Sequence, residues 1–385
     1  MDFSKLAALA AKIPINLIAN SSSKVNCEVP WAEEREEILA RARWLCGQVL
    51  VSPKELLAKM PKELGRFYGG QWAIYSAVMT VAALANIIRI YPEQREECLP
   101  KMKQLIDLIN TKEIRRYDTM QWKEDALETL DGPNDHMTYL SLLSWAIINY
   151  KQSGGTAPCF DALLHDCCEA LHRHMVEGPD LNLQSFPGKP IFLPDMLFTI
   201  IALHHYGVMN GGAYAETLSL WRQKAQTEWI NQQTGLLSST LTRVRRKPGR
   251  IMRGSHVALN CSCLTLCGDE AFARSQYELM KKHFVKTSPL FGIREYLDKS
   301  PMFSFDVDAG PIMFGLSPSG TAFALGAATW WEDWEIRARL LQTASIAGDT
   351  VTDADVGTSH YRLAEMALVG EAVTLAMRTL VRRKE

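Results

Sequence analysis

The sequence predicts an all-α fold, a toroid of six helical hairpins in the (α/α)6 arrangement. Three observations lead there. Helical periodicity dominates and convincing strand alternation is scarce. Two kinds of helix alternate along the chain. The connections between them are unequal in a regular way.

One kind of helix is charged and amphipathic: 31–50, 93–109, 159–176, 214–230, 270–285 and 333–346. The other is apolar nearly all round, with small residues packed in: 71–90, 136–150, 194–208, 255–267, 311–329 and 361–380. A helix with one polar face lies outside, and one apolar all round is buried. Each outer helix therefore precedes one inner helix. The inner helices start near residues 71, 136, 194, 255, 311 and 361, in steps of 65, 58, 61, 56 and 50. Pairs that cannot bury their faces alone form a closed or stacked array. Six pairs suggest the toroid, and an open α-solenoid is the alternative. Residues 1–30 form a lead-in arm, of which 1–20 reads as an amphipathic helix without the features of a signal peptide. Residues 31–385 form a single domain.

Inner-to-outer links are short: Tyr91-Pro92, Gly154-Gly155, Asn210-Gly211-Gly212, Gly268-Asp269 and Trp331-Glu332. Outer-to-inner links are long: 51–70, 110–135, 177–193, 231–254, 286–310 and 347–360. In alternating up-down pairs all the long links share one face. They are rich in aromatic and charged residues, which marks that face as functional.

The chain has 385 residues, 47% of them hydrophobic, with 42 basic and 43 acidic side chains and a net charge of −1. That balance gives no support for nucleic-acid binding. The basic run from Arg243 to Arg253 reads as a solvated loop. Nine scattered cysteines, an odd number, fit reduced thiols in the cytoplasm better than a disulfide framework. Apolar runs are broken short of the roughly 20 residues a membrane span needs, so no span is expected. Cys261, Cys263 and Cys267 have no His partner at zinc spacing. No phosphate loop, dinucleotide fingerprint or nucleophile elbow is present. We expect no metal, no cofactor and a small-molecule substrate; a homo-oligomer is neither required nor excluded.

The fifth long link ends in Phe305-Asp306-Val307-Asp308-Ala309-Gly310-Pro311. Asp306 and Asp308 alternate with Phe305 and Val307, so an extended segment points both acids one way. Pro311 is expected at the first turn of the fifth inner helix, where such acids also serve as caps. Long links and inner-helix starts also supply Asp118, Glu124, Asp135, His136, Asp195, Arg253, His256 and Glu295. We assign acid–base roles to Asp306, Asp308, His136 and Asp195. A carboxylic acid in an apolar, aromatic pocket has its pKa raised and donates a proton near neutral pH, and His136 is a base or relay. Tyr68, Trp72, Tyr75, Trp122, Tyr139, His256, Tyr296 and Tyr361 are assigned to substrate binding. Aromatic faces stack on sugars or stabilise a carbocation.

Three stretches resemble the linalool dehydratase/isomerase-like domain: Gln71-Trp72-Ala73-Ile74-Tyr75-Ser76, His136-Met137-Thr138-Tyr139-Leu140-Ser141, and the 306–311 segment. More distantly the layout resembles the six-hairpin glycosidases. The resemblance implies an (α/α)6 barrel with a deep pocket. It also implies acid–base handling of a small terpenoid alcohol, by loss of water or double-bond migration. That family uses cysteines near the third inner helix, and residues 177–193 contain none. Asp306-Val307-Asp308-Ala309 is also similar to the D-x-D-D motif of protonation-initiated terpene cyclases, with Ala309 in place of the last acid. The expected function is that of an acid–base lyase, isomerase or cyclase on a small, largely apolar molecule. The alternatives are a six-hairpin glycoside hydrolase or lyase with paired carboxylates, and a non-catalytic helical-repeat binding module.

Overall fold

A computed structural model describes residues 12–13, 28–298 and 302–382. Most of the expected lead-in helix lies outside the described residues. Fourteen α-helices follow: α1 Arg35–Val49, α2 Pro53–Ala58, α3 Gly65–Ile90, α4 Arg95–Ile109, α5 Lys112–Trp122, α6 Met137–Gln152, α7 Cys159–Glu177, α8 Leu193–Met209, α9 Ala215–Thr227, α10 Gly254–Leu264, α11 Glu270–Phe284, α12 Pro318–Trp330, α13 Trp334–Gly348 and α14 Leu368–Arg378. The inner helices form a closed circuit. α3 packs on α6, α6 on α8, α8 on α10, α10 on α12, α12 on α14, and α14 returns to α3. The alternative of an open solenoid is thereby replaced by a ring. The outer helices α1, α4, α7, α9, α11 and α13 surround it.

Small residues let the inner helices approach closely. A Cβ on Gly326 in α12 would lie 2.5 Å from Met377 Sδ and 2.6 Å from Ser262 Oγ. Ser262 of α10 uses its hydroxyl across that contact, donating to Phe323 O at 2.6 Å and accepting from Ala327 N at 2.9 Å. α3 is apolar on every face, and by length and composition the stretch Lys62–Ile90 could cross a membrane. The sequence reading counts such runs as broken by Asn, Arg, His or Gly, and within this one Ser76, Thr80 and Asn86 are polar. In the fold 83% of its most apolar window is buried against protein. The three polar side chains bond inside the structure, Ser76 and Thr80 to the preceding turn and Asn86 to Ala376 O.

The long links carry more structure than the periodicity indicated. Link two contains α5. Four antiparallel strand pairs decorate the same end: β1 (Ile191–Phe192) with β2 (Thr240–Leu241), β3 (Val285–Lys286) with β4 (Gly292–Ile293), β5 (Phe303–Asp306) with β6 (Gly310–Met313), and β7 (Thr350–Asp353) with β8 (Thr358–Tyr361). Two expected helix starts are corrected. Pro311 does not open the fifth inner helix; it lies in β6 opposite Phe305. That helix begins at Pro318, capped by Ser317 Oγ accepting from Gly320 N at 3.1 Å. The sixth begins at Leu368 rather than near Tyr361, after β8 and a 3-10 turn at Arg362–Glu365.

The ring closes through charge. Arg337 of α13 grips Glu34 with two N–H donors at 2.8 and 2.7 Å. Arg378 of α14 reaches Glu34 and Glu37, each at 2.8 Å. Arg41 of α1 donates to Glu37 at 2.9 Å and to Glu371 of α14 at 2.7 Å. Burial alone would raise the Glu37 pKa, but Arg378 and Arg41 hold it down at about 2. Replacing Arg378 with Met should therefore cost about 3–5 kcal/mol, because the glutamates lose a buried counter-charge. The sign with pH follows from the depressed value: stability from Glu37 is present above 4.5, its ordinary value, and is lost as pH falls toward 2. Chemical denaturation across that window should show a shallower acid loss in Arg378→Met than in the parent; equal slopes would remove the closure role.

Candidate functional site

Five inner helices bring their N-terminal turns to one cavity of about 400 Å³. α3 supplies Phe67, Tyr68, Trp72 and Tyr75, and link three adds Phe186 and Phe192. α8 supplies Asp195, α10 supplies Ser255 and His256, and the β5–β6 turn supplies Asp308. The wall is mainly apolar and aromatic, with these polar groups and others, among them Gln71, Gln121 and Lys189, set into it. Cavities of roughly 300–1,000 Å³ with that make-up suit small organic ligands.

Asp195 follows Pro194 in the first turn of α8. Burial raises its pKa to about 6, and the nearby charge of Asp308 adds to the rise. His256 and the hydroxyls of Ser185 and Tyr75 oppose it without cancelling it. Asp308 goes the other way. Burial would raise it, but the nearby imidazole of His256 and the guanidinium of Arg253 hold it below the usual carboxylate range. Its side chain stays open to the cavity at 43% exposure.

Arg253, the N-cap residue of α10, organises this corner. It donates to Glu295 Oε1 at 2.7 Å, to Asp308 Oδ2 at 2.9 Å and to Asp306 Oδ1. Glu295 is fully buried and also accepts from Ser255 N and Oγ at 3.1 and 2.9 Å. His256 Nε2 stands 3.6 Å from Asp308 Oδ2, while its buried Nδ1 has no partner. Gly254 is required for the fit of α10 on β4: a Cβ there would lie 1.9 Å from Arg294 O.

Of the residues expected in the site, Asp195, Asp308, Tyr68, Trp72, Tyr75, His256 and Tyr361 line this cavity. Asp306 does not. Its carboxylate turns into the hairpin, accepting from Asp308 N at 2.8 Å and Ala309 N at 3.1 Å besides holding Arg253. His136 is also placed elsewhere, buried beside α5. Its Nδ1 is 2.5 Å from Asp118 Oδ2 and its Nε2 is 3.4 Å from Glu124. Burial lowers its pKa, but Asp118 outweighs that and raises it, and the pair ties α5 to the start of α6. Trp122 packs on that imidazole at 5.4 Å. Tyr139 is fully buried and donates to Ile109 O at 3.3 Å. Trp122, Tyr139 and Tyr296 are not part of the cavity wall.

Sequence reasoning collected Arg253 and Glu295 without giving them a role, because Arg253 ends a basic run that reads as solvated. Its position directly before Gly-Ser-His at a helix start was the available signal. Phe67, Phe186 and Phe192 carried none beyond being aromatic in or beside a long link. Among the described residues no group of three or more His, Cys, Asp or Glu side chains is arranged to hold a metal ion. The eight described cysteines are free thiols, and all but Cys159 are buried.

No family model matches the chain, and no curated protein matches it. Among solved structures it is similar to a family 105 glycoside hydrolase from C. acetobutylicum ATCC 824. That match has 10% sequence identity and a TM-score of 0.49, covering 80% of this chain and 92% of the other.

The Arg253 hub has a measurable consequence. Arg253→Met leaves Glu295 buried without its counter-charge, at a cost of about 3–5 kcal/mol. Adding Glu295→Gln to that variant should recover much of the loss in a urea titration. An equal loss in the single and double variants would show that the pair is not the source.

Proposed function

We propose that this chain is an acid–base enzyme, a lyase, isomerase or cyclase, acting on a small, largely apolar and terpenoid-like molecule in the central cavity. One observation carries the reading. Asp195 and Asp308 face the same mainly apolar space with their pKa values pushed in opposite directions. Pairs of titratable groups separated in this way mark the acid and the base of a site.

In this reading Asp195 is the proton donor. It transfers a proton to a substrate hydroxyl, and the C–O bond breaks with loss of water to leave a carbocation. The faces of Trp72, Tyr75 and Phe192 shield that cation, and the Asp308 carboxylate balances its charge. A proton then leaves the neighbouring carbon for Asp308, giving the alkene. Protonating an alkene instead, with deprotonation at another carbon, gives isomerisation or ring closure. An apolar substrate that displaces water raises the Asp195 pKa further. Asp306 supports Arg253, and His136 supports the α5–α6 contact; neither is assigned a proton-transfer step. The buried, free thiols fit a cytoplasmic setting.

A second reading keeps the same two carboxylates and takes a sugar. Glycoside hydrolases need one protonated and one ionised carboxyl group on either side of the scissile bond, and the contrast between Asp195 and Asp308 meets the electrostatic half of that requirement. Gln71, Gln121 and Lys189 in the wall supply hydrogen-bonding groups that such a substrate would use, while the mainly apolar surface supports the first reading.

Assays of Asp195→Asn and Asp308→Asn on a panel of terpenoid alcohols and aryl glycosides test both. Loss of the proton donor should lower kcat by about 10²–10⁴-fold. The rate should also fall as pH rises through about 6, where Asp195 loses its proton. Turnover of glycosides alone would select the second reading. Full activity in Asp195→Asn on every substrate the parent converts would reject the assignment.

A further inference from the structure

The cavity has two chemically different ends. One holds Asp195, His256 and Asp308 among aromatic rings. The other runs along the sixth hairpin, where Ala344 and Ala347 of α13, Ala364 and Ala367 of the link, and Val369 and Gly370 of α14 form the wall. The polar side chains that α13 and α14 bring to this second lobe are already bonded to the protein. Thr343 donates to Phe291 O at 2.6 Å, and Thr374 donates to Gly370 O at 2.7 Å. Glu371 takes Arg41 on one oxygen and Tyr361 N on the other. A ligand entering here therefore meets apolar atoms and polar groups that are already satisfied.

We propose that this lobe receives the hydrocarbon tail of an amphipathic alcohol whose oxygen lies against Asp195 and Asp308. The inference rests on the acid–base reading of that end and narrows its substrate from a compact molecule to a tailed one. The polar end fixes orientation with few groups. The small-residue lobe contributes affinity through buried methylenes, each worth about 0.8 kcal/mol, or about four-fold in binding. Gly370 lies at the exposed edge of the lobe, and a Cβ built there meets no atom within 4 Å. A larger side chain at that position fits without collision, narrows the lobe at this edge and suits an α-helix better than glycine does.

The test is binding of hexanol, decanol and tetradecanol, read by intrinsic fluorescence with Trp72 in the cavity wall. For the parent protein affinity should climb about four-fold per added methylene. Gly370→Leu should bind hexanol as the parent does, which also reports an intact fold. It should lag on tetradecanol by about ten-fold or more. Ala344→Leu should move in the same direction. Chain-length dependence that is identical in parent and variants, or affinity that ignores chain length, overturns the proposal. Because binding is read without turnover, this outcome is independent of whether Asp195→Asn abolishes activity.

Discussion

The ring stays shut because its first and last hairpins share one set of charges. Apolar packing between small-residue helices drives them together but does not choose among neighbours. The forked grip of Arg337 on Glu34 does, since two parallel N–H donors accept one orientation only. Buried ion pairs of this kind are close to neutral against a well-packed apolar substitute, while breaking one is costly. Their contribution here is register: α1 must meet α13 and α14 at a single setting. That setting reaches the cavity. Arg41 lies 3.8 Å over the Tyr361 ring, and Glu371 accepts from Tyr361 N. Both Tyr361 and Glu371 are cavity wall, so ring closure and the shape of the second lobe are set by the same side chains.

At the other end of the cavity a single cation plays the corresponding part. Arg253 faces three carboxylates, one of them fully buried, and so cannot neutralise them all. It fixes Asp308 as an anion pointing at the cavity. That anion is the charge which, after burial, holds the proton on Asp195. Two acids in one pocket thus have their pKa values pushed apart, in part through the ordinary resistance of neighbouring like charges to ionising together.

The alternation of polar-faced and apolar helices was legible in the sequence because it reflects burial directly, and burial is what a sequence pattern encodes best. The unequal links were legible too, and residues from several of them line the cavity. What escaped were features that depend on partners distant in the chain. Pro311 looks like a helix start because Asp-Ala-Gly-Pro suits one locally, yet pairing with Phe305 made it a strand, and Ser317-Pro318, an equally good start, was passed over. His136 looked like a base because nothing nearby in sequence reveals Asp118, eighteen residues earlier, closing on its Nδ1. Asp306 and Asp308 were read as equals, but backbone N–H groups inside the hairpin claimed the first and left the second facing the cavity.

The position of the cavity follows from unequal inner helices. α3 has 26 residues and α14 has 11, about 39 Å against about 16 Å at 1.5 Å per residue. Asn86 donates to Ala376 O at 3.0 Å, which sets the C-terminal ends of the two helices nearly level. α3 therefore projects about 20 Å beyond the first residue of α14, and its N-terminal turns pack on α5, where Gly70 meets Tyr117, with no turn of α14 beside them. Phe67, Tyr68, Trp72 and Tyr75 occupy the stretch that α14 leaves uncovered. α10 and α12 are short as well, with 11 and 13 residues. Chain that would have lengthened them folds instead into β3–β6, and the β7–β8 hairpin stands before α14 in the same way. A ring of six equal helices would fill its own axis with side chains. Shortening half of them opens the space, and the hairpins that replace the missing turns carry Asp308 and Tyr361 to its edge.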